Sequence, residues 1–403
     1  MTKERSKRAL MLTILLIAVF QMPQFAILPG TNLIATEIFP ERTLQTIQAI
    51  MTMPGIIAVF AGVTAAMMVR YGLASKKFMT LFGFSLIALT GVVALLLNTQ
   101  FWQFCLMNIL IGAGMGIFVP SAQSIMFDNF DEKTRQFIMG VQFSCINGGG
   151  LIMSLLCGWL TTIVWYGGHL QMLIAIPVII ISFLILPKDI KMRSTAERSV
   201  TRTKLPASAY YFTSLIAIFM VLYNVATVNI STHLAQSNIG DSSTAGIATA
   251  LLMGGGVVCG LIFPKMSEII RDQVFTVTFI VMAIGFTLMN LFPSSLPVTY
   301  IAMFLCGSTM SMLVPRCIFN VSNLSDPSNS ATATMLVCCV APGIGHFLSP
   351  IIMTNLTMAL GGESTRFRFQ FTAFVCLAFA VIMFIYNALA TRNTKKQEDN
   401  FNR

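Results

Sequence analysis

Two side chains in this sequence could do chemistry away from bulk water. Arg316 stands in "SMLVPRCIFNV", residues 311–321, inside an apolar stretch that runs from Val298 to about Asn320. A charged side chain near hydrocarbon costs at least about 2.5 kcal/mol, so it must face protein or water, or snorkel to the headgroups. Facing inward, a guanidinium can hold a carboxylate or phosphate through two parallel hydrogen bonds. His346, in "CVAPGIGHFLSP", is the mid-span titratable candidate, and an imidazole with an ordinary pKa near ~6.5 can carry a proton. Its other reading is a neutral ring bonded to a neighbouring helix. Pro342, Gly343, Gly345 and Pro350 loosen the backbone around it. All fifteen Asp and Glu fall at termini, loops or span edges, so no buried carboxylate is expected to take that role.

Composition places both residues in a bilayer. With 56% hydrophobic and 10% charged residues and a mean hydropathy of +0.79, the 403-residue chain has too little polar surface for a water-soluble globule. A spanning helix needs about 20 mostly apolar residues. Twelve such segments can be read, at 9–30, 44–69, 78–97, 102–127, 137–163, 170–187, 209–231, 244–264, 274–292, 297–320, 331–357 and 367–390. They are continuously apolar rather than alternating, which predicts helices and not a barrel. Arg316 then lies roughly six residues, ~9 Å, from the end of its span, close enough to snorkel. Against that, Ser308, Met312, Arg316 and Asn320 recur at i, i+4 with Ser311 beside them, a stripe rather than a lone charge.

Basic residues orient the chain. With both termini and every second loop cytoplasmic, only Arg42, Arg366 and Arg368 of the 25 Lys and Arg fall outside, and Arg316 within a span. That is the positive-inside pattern. The net charge of +10 therefore reports topology and contact with the lipid bilayer, and no basic helix or aromatic platform supports nucleic-acid binding. The start, "MTKERSKRALMLTILLIAVFQMPQFA", has the basic head and apolar body of a signal peptide. Removing it would leave eleven spans and spoil the charge pattern, so it reads as the first span. The nine Cys fall within spans at no metal-type spacing. No disulfide framework, metal or cofactor is expected.

The chain divides into halves: 1–187, a basic cytoplasmic linker 188–208, and 209–403 with a short cytoplasmic tail. "GAGMGIFVP" at 112–120 matches "GSTMSMLVP" at 307–315 at an offset that also pairs Asp131 with Asp326, Gly148 with Gly343 and Gly150 with Gly345. A register held across a loop indicates duplication. Six spans per copy is an even number, so the copies point the same way through the membrane.

On these features the chain resembles the major facilitator superfamily over nearly its whole length. The halves, the basic central loop, and "DNFDEKTRQFIMG" followed by "NGGG" between spans 4 and 5 follow that family's pattern. The loop "AAMMVRYGLASKK" is similar to the family's Gly-x-x-x-Asp-Arg-x-Gly-Arg-Lys signature. It keeps Arg70, Gly72, Lys76 and Lys77, but has Ala65 in place of the Gly and Val69 in place of the Asp. The resemblance implies an all-α membrane protein, twelve transmembrane helices in two parallel six-helix bundles around a central cavity. It implies a conformational-switch role for Arg70, Gly72, Lys77, Asp128 and Arg135. It also points the stripe of span 10 at the cavity, making Arg316 and Ser311 candidates for binding solute, with Gln21 and Gln24 of span 1, Gln142 of span 5 and Asn224 of span 7. Each amide alone is as readily an interhelical hydrogen bond.

The expectation is a monomeric secondary transporter of the cell membrane that moves a small polar or anionic solute by alternating access. Ion coupling is expected, with His346 carrying a proton. The alternative is a polyspecific exporter of drugs or amphiphiles, to which 27 Met and 32 Phe would offer adaptable contacts. Span 5 lacks the Gly-Pro pair typical of many such antiporters. An enzyme is not expected, for want of paired intramembrane carboxylates, a His-Glu-x-x-His or a nucleophile elbow. The absence of a Gly-x-x-x-x-Gly-Lys-Ser/Thr loop excludes a nucleotide-driven pump.

Overall fold

The computed structural model describes residues 3–187, 206–270, 273–324, 336–362 and 364–401. All but the last three residues of the expected linker fall outside these, as does the start of the expected eleventh span. The first bundle comprises α1 (Lys3–Ala18) with a continuation over Pro23–Ile38, α2 (Leu44–Arg70), α3 (Lys76–Leu96), α4 (Phe101–Asn129), α5 (Glu132–Thr161) and α6 (Gly167–Ile185). The second comprises α7 (Ala207–Gln236), α8 (Ser242–Ile270), α9 (Val274–Leu291), α10 (Leu296–Leu324), α11 (Ala341–Ala359) and α12 (Thr365–Phe401). Ten of these helices are long and apolar enough to cross a membrane, and α1 with its continuation passes the same test only as a bent pair taken together. The 19-residue α11, preceded by a π turn over Leu336–Val340, stands where the remaining span was expected.

Polar side chains start the helices at the membrane surfaces. The hydroxyls of Thr43 and Ser75 accept the backbone N–H of Thr46 and Phe78, and the carboxylates of Asp131 and Asp241 accept those of Thr134 and Thr244. The Thr134 hydroxyl and amide hold the Asp131 carboxyl below the usual carboxylate range. Between these ends, apolar side chains sort by face. Phe84, Phe118, Phe219, Phe279, Phe286 and Phe369 are fully buried, while Phe82, Ile180, Phe183, Ile284, Phe374 and Val381 on α3, α6, α9 and α12 are exposed. Those four helices present their apolar side chains outward, as lipid requires.

The duplicated glycines do the same work in each half. A Cβ on Gly112 would lie 2.7 Å from the Pro54 carbonyl oxygen of α2, and one on Gly307 would overlap the Leu252 carbonyl of α8. Each lets the fourth helix of its half press backbone to backbone on the second.

Span 1 departs from the continuous helix expected over 9–30. It ends at Ala18, turns through 43°, and restarts at Pro23. Proline has no N–H to give the preceding turn, but it suits the first position of a new helix. The break falls in "VFQMPQFA", so Gln21 and Gln24 sit where the backbone is interrupted at membrane depth. Interrupted helices within a bilayer are tolerated where they are buried in protein or line a path for solute.

Candidate functional site

The bundles meet in a polar layer built around His346. Its Nδ1 lies 2.7 Å from Asn224 Oδ1 on α7. Asn224 Nδ2 donates to the Met220 carbonyl at 2.7 Å, which fixes the amide with its oxygen toward the imidazole. The Thr227 hydroxyl also lies 3.2 Å from that oxygen. The neutral ring must therefore carry its hydrogen on Nδ1 and leave Nε2 as an acceptor. Phe25, on the restarted part of span 1, packs its ring 5.0 Å from the imidazole and 6.4 Å from Tyr223. Gly55 of α2 closes the layer: a Cβ there would stand 2.9 Å from the Gly343 carbonyl oxygen and 3.2 Å from His346 Cδ2. Spans 1 and 2 of one bundle and 7 and 11 of the other thus converge on one imidazole.

Two buried acceptors, His346 Nε2 and Gln24 Oε1, the latter on the residue before Phe25, have no hydrogen-bond partner among the described residues. Gln21 and Gln142 are buried as well. Ser311 is placed differently. Its hydroxyl donates to the Gly256 carbonyl at 2.7 Å and ties α10 to α8 within one bundle.

Arg316 is half-buried. One turn before it, Met312 is buried in a cluster with Cys259 of α8 and Val274, the first residue of α9. The same helical register carries Arg316 toward the flank between α8 and α9, at the edge of the apolar window Leu296–Ile318.

Among the described residues a buried cation is Arg368, 5% exposed, which the sequence placed outside the membrane with Arg42 and Arg366. A signal was present: Thr365, Arg368 and Thr372 recur at helical spacing on the first turns of α12, opposite Asn229, His233 and Gln236 of α7. Arg368 Nη1 donates to Asn229 Oδ1 at 2.9 Å, and the Thr365 hydroxyl to Gln236 Oε1 at 2.8 Å.

On the side away from both chain ends the bundles are tied together. Ser231 Oγ donates to the Pro29 carbonyl at 2.8 Å and accepts the Asn32 amide at 3.2 Å. Gln48 Nε2 donates to Asn229 Oδ1 at 3.2 Å, and Gln45 Nε2 to Asn355 Oδ1 at 3.0 Å. Here α5 and α8 cross at Gly158 and Gly246, where a Cβ on Gly158 would lie 2.8 Å from the Gly246 Cα. In "NGGG", Gly149 presses against the Val19 carbonyl of span 1, and a Cβ on Gly150 would meet Met253 Sδ at 3.2 Å.

Near the chain ends, Gly72 has φ +68° in the turn between α2 and α3, a conformation glycine adopts without strain. Lys76, rather than Lys77, pairs with Asp128, at 2.5 Å. Lys77 Nζ donates to the Phe183 and Leu186 carbonyls at 2.7 and 2.6 Å, capping the end of α6. The side chains of Arg70 and Arg135 lie outside the described ones.

Two parallel six-helix bundles, meeting at a buried polar layer and closed on one side of it, have the form of a secondary transporter. The sequence profile of the Major Facilitator Superfamily matches residues 10–213 and 211–402, and the chain belongs to that family. No curated protein sequence matches it. Among solved structures it is similar to a POT family transporter in complex with a thioalcohol-conjugated peptide, with TM-score 0.73, 13% identity, and 94% of this chain and 96% of that chain covered. It is similar to a bacterial homologue of the human lysosomal transporter Spinster in an inward-facing, unoccupied conformation, with TM-score 0.71, 16% identity and coverage of 98% and 99%. The nucleoside transporter NupG gives TM-score 0.69, 14% identity and coverage of 94% and 98%. At such identities the likeness is one of fold.

Proposed function

We propose that the protein carries a small polar solute across the cell membrane by alternating access, as a monomer with both termini cytoplasmic. The solute is held between the bundles where Gln24, Asn224 and His346 meet, and a proton taken up on His346 drives it. The observation that carries this reading is the pair of buried acceptors, Gln24 Oε1 and His346 Nε2, left without donors beside a broken helix. A buried polar atom without a partner costs about 1–3 kcal/mol. A solute bearing hydroxyl, amide or ammonium donors would satisfy both atoms at once. The ring of Phe25 beside them also suits an apolar portion, which is what favours the alternative, an exporter of amphiphiles.

Purified protein in liposomes, screened for counterflow with sugars, amino acids, organic anions and cationic drugs, tests this directly. The expected result is saturable counterflow of a polar compound, stimulated when a proton gradient is imposed. Saturable transport of cationic amphiphiles alone would put the alternative in its place. The orientation is tested separately by single-Cys labelling on a Cys-free background. Ser199→Cys should react only from the cytoplasmic side and Ser294→Cys only from outside, and reaction of both from one side would contradict the twelve-span arrangement.

A further inference from the structure

Arg368 poses a question that the solute layer does not answer. The residue is buried, 5% exposed. Its side-chain hydrogen bond goes to a neutral amide oxygen, Asn229 Oδ1, and its Nε has no partner among the described residues. The ion pairs between described residues join Arg42 to Glu41 and Lys76 to Asp128, and none involves Arg368. A buried positive charge without a counter-ion is strongly unfavourable unless something negative reaches it.

Its surroundings are incomplete in the same sense. Gln48 Nε2 donates to the same Asn229 oxygen that Arg368 uses, so two donors converge on one acceptor. Asn229 Nδ2 is committed to the Val225 carbonyl at 2.9 Å, which holds that oxygen toward them. One turn along α7, the Thr232 hydroxyl is buried without a partner among the described residues, while His233 Nδ1 lies 3.4 Å from the Thr365 hydroxyl oxygen. The His233 ring packs 5.1 Å from Phe369, the neighbour of Arg368. Glu37 and Glu41 on this side of the molecule are exposed. Glu363 lies outside the described residues.

We infer that Arg368, positioned by Asn229 and with the Thr232 hydroxyl one turn along α7, forms an anion site at the far gate, which takes a carboxylate or phosphate group when Gln48 withdraws with its own bundle. Gln48 is the stopper: it belongs to α2, and the opening of the far side removes it from Asn229. The guanidinium then keeps one amide partner and has a free edge, the geometry in which arginine grips an oxyanion with parallel N–H groups. The site is separate from the solute layer, since Asn229 lies five residues, ~7.5 Å, along α7 from Asn224. Its binding draws the protein toward the far-open state and can be read by equilibrium titration, whatever solute is carried.

The test uses full-length protein in nanodiscs of zwitterionic lipid, titrated with inorganic phosphate, acetate and chloride while the thermal unfolding midpoint is followed by tryptophan fluorescence. Phosphate and acetate are expected to raise the midpoint saturably. Arg368→Lys should weaken the apparent phosphate affinity at least about tenfold, and Arg368→Gln should abolish the response. Asn229→Asp supplies the missing carboxylate in place, so it should raise the midpoint without added anion and remove the response to phosphate. That variant keeps the inference testable if Arg368→Gln does not fold. Arg316→Gln should leave the response intact. Discs containing phosphatidylglycerol separate the two sources of the group: a midpoint already raised and insensitive to phosphate identifies a lipid headgroup, and an undiminished phosphate response identifies a free anion. No response in the native protein, an undiminished response in Asn229→Asp, or a response that appears only in Glu363→Gln would overturn the inference.

Discussion

Replacing Gly158 with leucine should hold the far side of the transporter open. Gly158 and Gly246 meet backbone to backbone where α5 of one bundle crosses α8 of the other, with Gly246 Cα and the Ser242 carbonyl each 2.8 Å from where a Cβ on Gly158 would stand. A clash with backbone cannot be relieved by turning a side chain, so the bundles themselves must part. Overpacking of this kind costs about 1–3 kcal/mol, and each 1.4 kcal/mol shifts a two-state equilibrium about tenfold. The population should therefore move roughly tenfold to a hundredfold toward the far-open state. The readout is labelling of Ser231→Cys by a membrane-impermeant maleimide. Ser231 is buried between the bundles against Pro29 and Asn32, so labelling is slow while the gate is closed. Adding Gly158→Leu should accelerate it at least about tenfold, and an unchanged rate would show that this crossing is not part of a gate.

The second large effect is expected at His346. Asn224 holds the imidazole with Nδ1 donating and Nε2 free to accept, and the Phe25 ring packs beside it, tilted by 57° with centroids 5.0 Å apart. A gradient of one pH unit is worth about 1.36 kcal/mol, which for one proton per solute supports about tenfold accumulation. His346→Gln can keep a hydrogen bond to Asn224 but cannot carry a proton. Gradient-driven accumulation should collapse to equilibration, while counterflow, which moves no net protons, should stay within about twofold of the native rate. Normal accumulation in the variant would return His346 to a structural role between α7 and α11.

The fold was legible because lipid leaves few choices. Every buried backbone group must be paired within its own segment, so continuous apolar runs read as helices and their ends read from Thr43, Ser75 and Asp131. The repeated "GAGMGIFVP" and "GSTMSMLVP" were legible for a related reason. Close helix crossings admit only glycine, and both copies keep Gly112 and Gly307 at the same crossing. The break at Pro23 was harder to see, since the sequence on either side is equally apolar and proline within a span need not end it. For the site, amides and the imidazole could be named, but their partners could not. Asn224 and His346 are separated by 122 residues and meet only through the packing of α7 on α11. The burial of Arg368 was not legible because hydropathy measures distance along the chain from a span's end, whereas burial depends on which neighbours stand beside it. Arg368, at the very start of α12, is covered by α7, to which it donates through Asn229.

The central claim is that two bundles rock about the His346 layer, and inter-label distances on both sides test it most directly. One spin-label pair at positions 45 and 355 would span the far gate, where Gln45 and Asn355 now share a hydrogen bond. Another at 71 and 269 would join exposed Tyr71 and Ile269 of opposite bundles on the side of the chain ends. Alternating access predicts two distance populations for each pair, the short far-side distance dominating in the native protein. It also predicts that Gly158→Leu lengthens the first distance while shortening the second. A single distance for each pair, unmoved by Gly158→Leu, would contradict a rocking transporter.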